Sequence, residues 1–456
     1  METKITENLI SFVENTRYRD FSEETVSEAK KCILDGIGVT VAGSTYEGMQ
    51  VLRGFALETG GQPQARTIGA NSIKTSALNA ALINGVAGHV LYFDDTQIIL
   101  GGHPTAVILP ALLALGEYTE ASGQEMLTSF ILGIEVSCKI ARGVNPYHYQ
   151  SGYHVTSTIG IFGAAAAAGK LLKLGHQELL STLGMAGSMS SGLKENFGTM
   201  TKSLHVGLAA SHAVMAALLA QKGCTASGKI LEGDWGFGNV LSKNCQYDNM
   251  INHLGNPWEI QNPGITRKKY PSCARTHCAI DALLKIVKQN DIPIQDLTEI
   301  ECCTDEDAFK ILIHPIPKTE LEAKFSMPFC LAIAFLEKDV SLQHFEQSRI
   351  NDPKIKNLMK KIKHIPEEEI IAKGYEYRGT SKIRVKLNTG VEFFEMVETS
   401  KGDPRNPLRP DEIVEKFHQC LAGIIDQEKA QLIIDGVNQM ENQQNILNLV
   451  TYLAAN

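Results

Sequence analysis

NPWEIQNPGITRKKYPSC, residues 256–273, divides the chain into two textures, and that division decides the fold. Upstream of it the apolar period is helical. FSEETVSEAKKCILDGIGVTVAG (21–43) offers Ser22 as an N-cap, has Thr25 three positions later and ends in Gly43. SIKTSALNAALINGVAGHVLYFDD (72–95), HPTAVILPALLALGEYTEA (103–121) and GQEMLTSFILGIEVSCKIARGV (123–144) repeat apolar and small residues three and four apart. STIGIFGAAAAAGKLLKLG (157–175) and TKSLHVGLAASHAVMAALLAQKG (201–223) continue the series. Their Ala and Gly content lets helices approach closely, which predicts a compact bundle with several helices buried on most sides.

Downstream the texture is mixed. CAIDALLKIVKQNDI (278–292) is one more helix, while LTEIECCTDED (297–307) alternates like a strand. SKIRVKLNTGVEFFEMVET (381–399) reads as a hairpin turning on Asn388-Thr389-Gly390. KGDPRNPLRPDE (401–412) then punctuates the chain as a linker, and the remainder is helical again. The expected architecture is mainly α with an α+β lid. One large helical domain is built from both chain ends, residues 1–266 and 404–456, and a smaller α+β domain, 267–403, is inserted in it. No solenoid repeat or low-complexity tract interrupts this layout.

Bulk properties narrow the function. The 456 residues carry a net charge of -8 with 43% hydrophobic and 21% charged residues. With no long basic run, that balance argues against nucleic acid or an anionic membrane as partner. The N-terminal METKITENLISFVENTRYRDFSEE carries acids early and reads as neither secretory signal nor transit peptide. The longest uninterrupted apolar runs fall short of a membrane span. Ten cysteines are scattered without a C-x-x-C, the pattern of reduced thiols. Together these predict a cytoplasmic protein.

GHVLYFDDTQIILGGHPTAVILPAL (88–112) sets two histidines and two adjacent aspartates in a greasy stretch. His89, Asp94, Asp95 and His103 match no strong metal-ligand spacing. Asp94 or Asp95 closing a helix explains much of the pattern. His103, on a Gly-Gly turn before a helix, is placed for function. His154 stands before a second helix start. Lys202 and His205, three apart, share one helix face. RKKYPSCARTH (267–277) is a fourth basic cluster, where Cys273 between Lys and Arg is also a thiolate candidate. A lysine opening so apolar a helix is either a solvated end or an anion site. There is no dinucleotide fingerprint, Walker loop or nucleophile elbow, and no motif supports Ser157 as a nucleophile.

These segments together resemble the MmgE/PrpD family of 2-methylcitrate dehydratases, cis-aconitate decarboxylases and iminodisuccinate epimerases. The resemblance rests on GHVLYFDDT, GHPTAVILPALLALGE, GYHVTSTIGIFGAAAAAGKLLKL, KSLHVGLAASHAV, KKYPSCARTH and KGDPRNPL, over nearly the whole chain. It implies a homodimer, an active site between helical domain and lid, and no metal or organic cofactor. Position by position, it implies His103, His154 and Lys202 as catalytic residues. It places Thr96 and Lys268 on the substrate-binding side, where Asp95, Tyr92, His205, Cys273 and His277 are also expected. Two departures stand out. Tyr92 occupies the place of the family's usual acid in LDFDDT, and Cys273 stands where mammalian-type cis-aconitate decarboxylases carry histidine. The second turns the expectation from decarboxylation towards dehydration of a 2-methylcitrate-type acid. Decarboxylation of cis-aconitate and epimerisation of an amino diacid remain the alternatives on the same scaffold. The Tyr92 departure also leaves open a catalytically silent ligand-binding homologue. In every active case the substrate is a small anionic carboxylate, and fixed Lys and His donors steady charge developing beside it.

Overall fold

The computed structural model describes residues 4–372 and 379–455, without the side chains of 371 and 372. It falls into two compact units: Met1–Val90, Asp94–Arg267 and Arg409–Asn456 form one, and Leu91–Phe93 with Lys268–Leu408 form the other. The molecule is mainly α with a small α+β part.

In the first unit the Glu23–Gly43 helix opens on Ser22, whose side chain accepts from the Thr25 backbone N–H. Small residues also set a close crossing where the Ala77–Val90 and Met200–Gln221 helices pack together. A Cβ on Gly207 would stand 2.3 Å from the Leu82 carbonyl oxygen, and one on Gly85 2.8 Å from the Gly207 Cα. The alanine run of Gly160–Leu171 is buried on every side except at Lys170, against the Pro104–Thr119, Gly123–Val144 and Met200–Gln221 helices. Lys170 Nζ donates to the Val13, Glu14 and Thr16 carbonyls, closing the end of the Ile5–Asn15 helix. After the second unit the chain returns as Pro410–Leu421, which packs on Glu23–Gly43. There Lys416 meets Asp35 at 2.7 Å, both buried.

The Met200–Gln221 helix is long and apolar enough to cross a membrane by length and composition, which the reading of uninterrupted apolar runs passed over. It lies mostly buried inside its unit and begins with Lys202 and His205, so its apolar surface is bundle core.

In the second unit a four-stranded sheet runs in the order Ile362–Pro366, Leu297–Thr304, Ser381–Leu387, Glu392–Val397. The first pair is parallel and the other two antiparallel. The hairpin turns where Gly390 holds φ of 86°. The His277–Gln289 helix packs on the hairpin strands and on Met327–Glu337. Leu283, Ile300, Ile333, Ile383 and Val385 fill the core between them.

The helix predicted over 72–95 ends at Val90. Tyr92 then takes a left-handed φ of 55°, which no helix continues through. Two buried lysines of the second unit hold this turn by its carbonyls: Lys268 Nζ donates to Tyr92 O at 2.9 Å and Lys324 Nζ to Leu91 O at 2.8 Å. All ten cysteines are free thiols.

Candidate functional site

Three helix starts of the first unit bring the chemistry together. His103 is the N-cap residue of Pro104–Thr119, yet its side chain makes no cap bond. The turn before it has room only because position 102 lacks a side chain: a Cβ there would sit 2.8 Å from Thr156 Oγ1. That close approach lets Thr156, second residue of the Val155–Thr158 segment, accept from the His103 backbone N–H. His154 is the N-cap residue of the segment beginning at Val155, and Lys202 lies in the first turn of Met200–Gln221.

At the centre stands His89, fully buried in the last turn of Ala77–Val90. Its Nε2 lies 2.6 Å from Lys202 Nζ and its Nδ1 2.7 Å from Asp94 Oδ2. His103 Nδ1 approaches the same Asp94 oxygen at 3.0 Å. The His103 ring meets His89 edge-on at 4.6 Å between centroids, and the His154 ring lies 5.9 Å from His89. His154 Nδ1 is 3.2 Å from His205 Nδ1. Phe197 closes the group, its ring 5.1 Å from the His154 ring and 5.1 Å from Lys202 Nζ.

Burial and mutual charge set the protonation states. Burial pushes His89 down to about 3, against the pull of Asp94 and with Lys202 adding to the push, so the ring is neutral. Burial, then Lys202, His89 and His205, hold His154 well below its ordinary range. Burial followed by Lys202 lowers His205 in the same way. Burial alone would raise the Asp94 carboxyl, but His103 and His89 outweigh it and hold it well below the usual carboxylate range. His89, His154 and His205 therefore favour the neutral form around Lys202 Nζ and the Asp94 carboxylate.

His89, Asp94 and His103 also lie close enough together to hold a metal ion, with ligand atoms within 4.8 Å of one another. The donor set argues against that use. A metal on His89 Nδ1 would leave a proton on Nε2, facing the Lys202 ammonium at 2.6 Å. Metal-bound histidines instead turn that N–H towards a carboxylate, a carbonyl or water.

Of the residues singled out from the sequence, the structure gathers His103, His154, Lys202 and His205 in one place. Asp95 is adjacent in the chain but turned away: its carboxylate accepts from the Thr105 hydroxyl and, at 3.4 Å, from the Thr105 N–H. It serves the start of the following helix, so neither aspartate closes the preceding one, as the helix-closing reading of the sequence had it. Thr96 pairs its backbone with Thr266 in an isolated bridge that fixes the chain directly after Asp94 and Asp95. Tyr92, Lys268, Cys273 and His277 belong to the second unit. There the buried Tyr92 ring packs edge-on against Phe325. His277 is buried with Nε2 3.4 Å from Ser272 O, and Cys273 is half-buried with its N–H on Lys324 O. Ser157, which no motif supported as a nucleophile, donates its hydroxyl to the Ser191 and His205 carbonyls.

Three members of the group were given no catalytic or substrate-binding role from the sequence: His89, Asp94 and Phe197. A histidine inside an apolar helix reads as core, and a loop aromatic carries no positional signal. The signal available for Asp94 was the doubled aspartate, since one cap needs only one carboxylate.

Comparison with known proteins matches two family models, one after the other along the chain. The MmgE/PrpD N-terminal domain matches residues 7–249 and the MmgE/PrpD C-terminal domain residues 270–442. The cis-aconitate decarboxylase of Homo sapiens is 26% identical over 471 residues, covering 99% of this chain and 95% of that protein. That of Mus musculus is 25% identical, covering 98% and 92%. A cis-aconitate decarboxylase of Aspergillus terreus is 22% identical, covering 98% and 96%.

Proposed function

The chain belongs to the MmgE/PrpD family, and on that premise we propose that it is a lyase acting on a small di- or tricarboxylate. The reaction runs through proton transfer beside a carboxylate and needs no metal or organic cofactor. The observation that carries the reading is the convergence of Lys202, the Asp94–His103 pair and the neutral His154 at three helix starts. Helix starts and an ammonium favour a bound anion. The Asp94 carboxylate holds a proton on His103 Nδ1, which leaves Nε2 to take a proton from substrate or return it. Asp94 also supplies the counter-charge for the imidazolium formed when it does. His154, kept neutral, is the second proton-transfer group. Lys202 binds the carboxylate on which charge develops, and Thr96 orients the substrate.

The first reading of the reaction is decarboxylation of a cis-aconitate-type acid, supported by the relatives of that name that match end to end. The C–CO₂ bond breaks, its electron pair spreads over the neighbouring unsaturated carboxylate beside Lys202, and a histidine returns a proton to carbon. The second reading is dehydration of a 2-methylcitrate-type acid, which Cys273 favours. There a histidine removes the proton next to the carboxylate, and the hydroxyl leaves as water. Both use the same carbanion-like species, so one scaffold serves either. The homodimer implied by the family resemblance is part of the proposal, and light scattering of the purified protein tests it.

One experiment separates the readings. Citrate, 2-methylcitrate, cis-aconitate and an amino diacid are incubated with the protein in D₂O and followed by NMR. Loss of CO₂ with deuterium in the product marks the decarboxylase, elimination of water the dehydratase, and exchange without net reaction the epimerase. Ligand-induced stabilisation without turnover of any acid would replace the lyase by a silent binding protein. Turnover by purified His103→Ala as fast as by the parent would overturn the site.

A further inference from the structure

We infer that His89 is a positioning residue that ties Lys202 and the Asp94–His103 pair into one interdependent unit. The inference deepens the lyase reading and rests on it only for its kinetic test.

Donors and acceptors fix the state of the ring. An ammonium offers only protons and a carboxylate only lone pairs. An imidazole 2.6 Å from Lys202 Nζ at Nε2 and 2.7 Å from Asp94 Oδ2 at Nδ1 has to accept at the first nitrogen and donate at the second. Of the three forms of the ring, only the neutral Nδ1–H tautomer does both. The imidazolium and the Nε2–H tautomer each aim a proton at the ammonium. Asp94, Lys202, His103 and His154 are the groups facing the ring, and the first two fix its state.

The arrangement has a consequence for the cation. Were Asp94 in direct contact with Lys202, the ammonium would be neutralised locally and its pull on a substrate carboxylate would fall. A neutral ring placed between them orients the ammonium while keeping the opposite charge one imidazole away. The spacing is built into the helix crossing. Gly85 and Gly207 bring the two helices almost into backbone contact, His89 lies one turn beyond Gly85, and Lys202 lies five residues before Gly207. The ring also shares Asp94 Oδ2 with His103, so a displaced His89 releases the carboxylate that orients the proton carrier.

The kinetic test is a double-mutant cycle with the substrate found by the NMR screen. His89→Phe keeps a ring of similar size without nitrogens and is expected to lower kcat/KM by about 100-fold. Added to Lys202→Met, it should cost far less than it does alone, because its effect passes through that lysine. His89→Gln, whose amide can accept from Lys202 and donate to Asp94, should recover most of the loss. Fully additive losses, or a folded His89→Gln no better than His89→Phe, would overturn the inference.

A second measurement needs no turnover. In protein with ¹⁵N-labelled histidine, the resonance missing from His89→Phe should be a neutral ring protonated at Nδ1 from about pH 5 to about pH 9. It should shift in Lys202→Met. A ring that titrates in that range, or carries its proton on Nε2, sinks the inference and leaves the lyase reading standing. The expected tautomer in a protein that turns over no polycarboxylate would sink the lyase reading and sustain the tie between Lys202 and Asp94.

Discussion

At the scale of single residues, Asp94 has the most demanding position. One carboxylate oxygen faces His89 Nδ1 at 2.7 Å and His103 Nδ1 at 3.0 Å. Asp94→Asn keeps the volume but supplies a neutral acceptor, so the charge that steadies a protonated His103 is lost. The expected result is a kcat lower by about 10²–10⁴-fold with an unaltered fold, read by steady-state kinetics and circular dichroism. A fall of less than tenfold would remove Asp94 from the machinery. How much of this site was readable in the sequence follows from where each side chain stands. His103, His154, Lys202 and His205 lie at or near helix starts, where a polar residue followed by an apolar run is conspicuous. His89 lies within such a run, and its two bonds join residues 5 and 113 positions away. A one-dimensional pattern has no means of signalling the longer of those separations.

At the scale of elements, the helix starts and crossings hold the group in place. Asp95 secures the start of Pro104–Thr119 through Thr105, at a cost to its own ionisation. Burial, with Asp35 and Asp94 adding to it against the Thr105 bonds, raises its carboxyl to about 7. A raised native value means the contribution to stability is full below the ordinary carboxyl range and is lost as pH rises through about 7. Asp95→Asn keeps an acceptor for Thr105 and does not ionise. Its melting temperature relative to the parent should therefore climb between about pH 5 and about pH 8, by on the order of 1 kcal/mol or more in stability. A difference that stays flat across that range would contradict the assignment. The crossing of Ala77–Val90 and Met200–Gln221 gives a second prediction. Gly207→Ala places a methyl 2.3 Å from the Leu82 carbonyl oxygen, forcing the helices apart. Thermal unfolding should show a loss of about 1–3 kcal/mol. Kinetics of the surviving folded enzyme should show a further loss, because the same crossing sets the Lys202–His89 distance. Unchanged stability would mean the helices yield there without cost. The elements themselves were largely legible. The helical series and the 381–399 hairpin follow from period and turn chemistry, whereas Ile362–Pro366, five residues with a parallel partner and a mixed pattern, carries no alternation to read. The early end of the 72–95 helix was hidden for a physical reason: Tyr92 is a residue from which left-handed backbone is not expected, and the lysines holding it come from far along the chain.

At the scale of the whole molecule, the first unit is completed only when the chain returns at Arg409. The Pro410–Leu421 helix lies over Glu23–Gly43, where Phe417 fills the space left by Gly38, whose Cβ would stand 3.0 Å from the Phe417 ring. Beside it, Lys416 is the cation paired with Asp35, 2 to 5% exposed at both side chains. Asp35 in turn stands near Asp95, so the returning Pro410–Leu421 helix brings a positive charge to a buried acidic pair that includes the residue after Asp94. Removing one partner of a buried ion pair strands the other charge, which costs about 3–5 kcal/mol. Lys416→Met is expected to destabilise the protein by about that much in denaturant unfolding. In Lys416→Met combined with Asp35→Asn, where no charge is stranded, most of the loss should return. If the double variant is as unstable as the single one, the lysine acts through packing of its stem, and closure of the chain ends is apolar. If stability recovers while kcat/KM stays low, the ion pair also shapes the electrostatic surroundings of Asp94, which lies one residue from Asp95 in the chain.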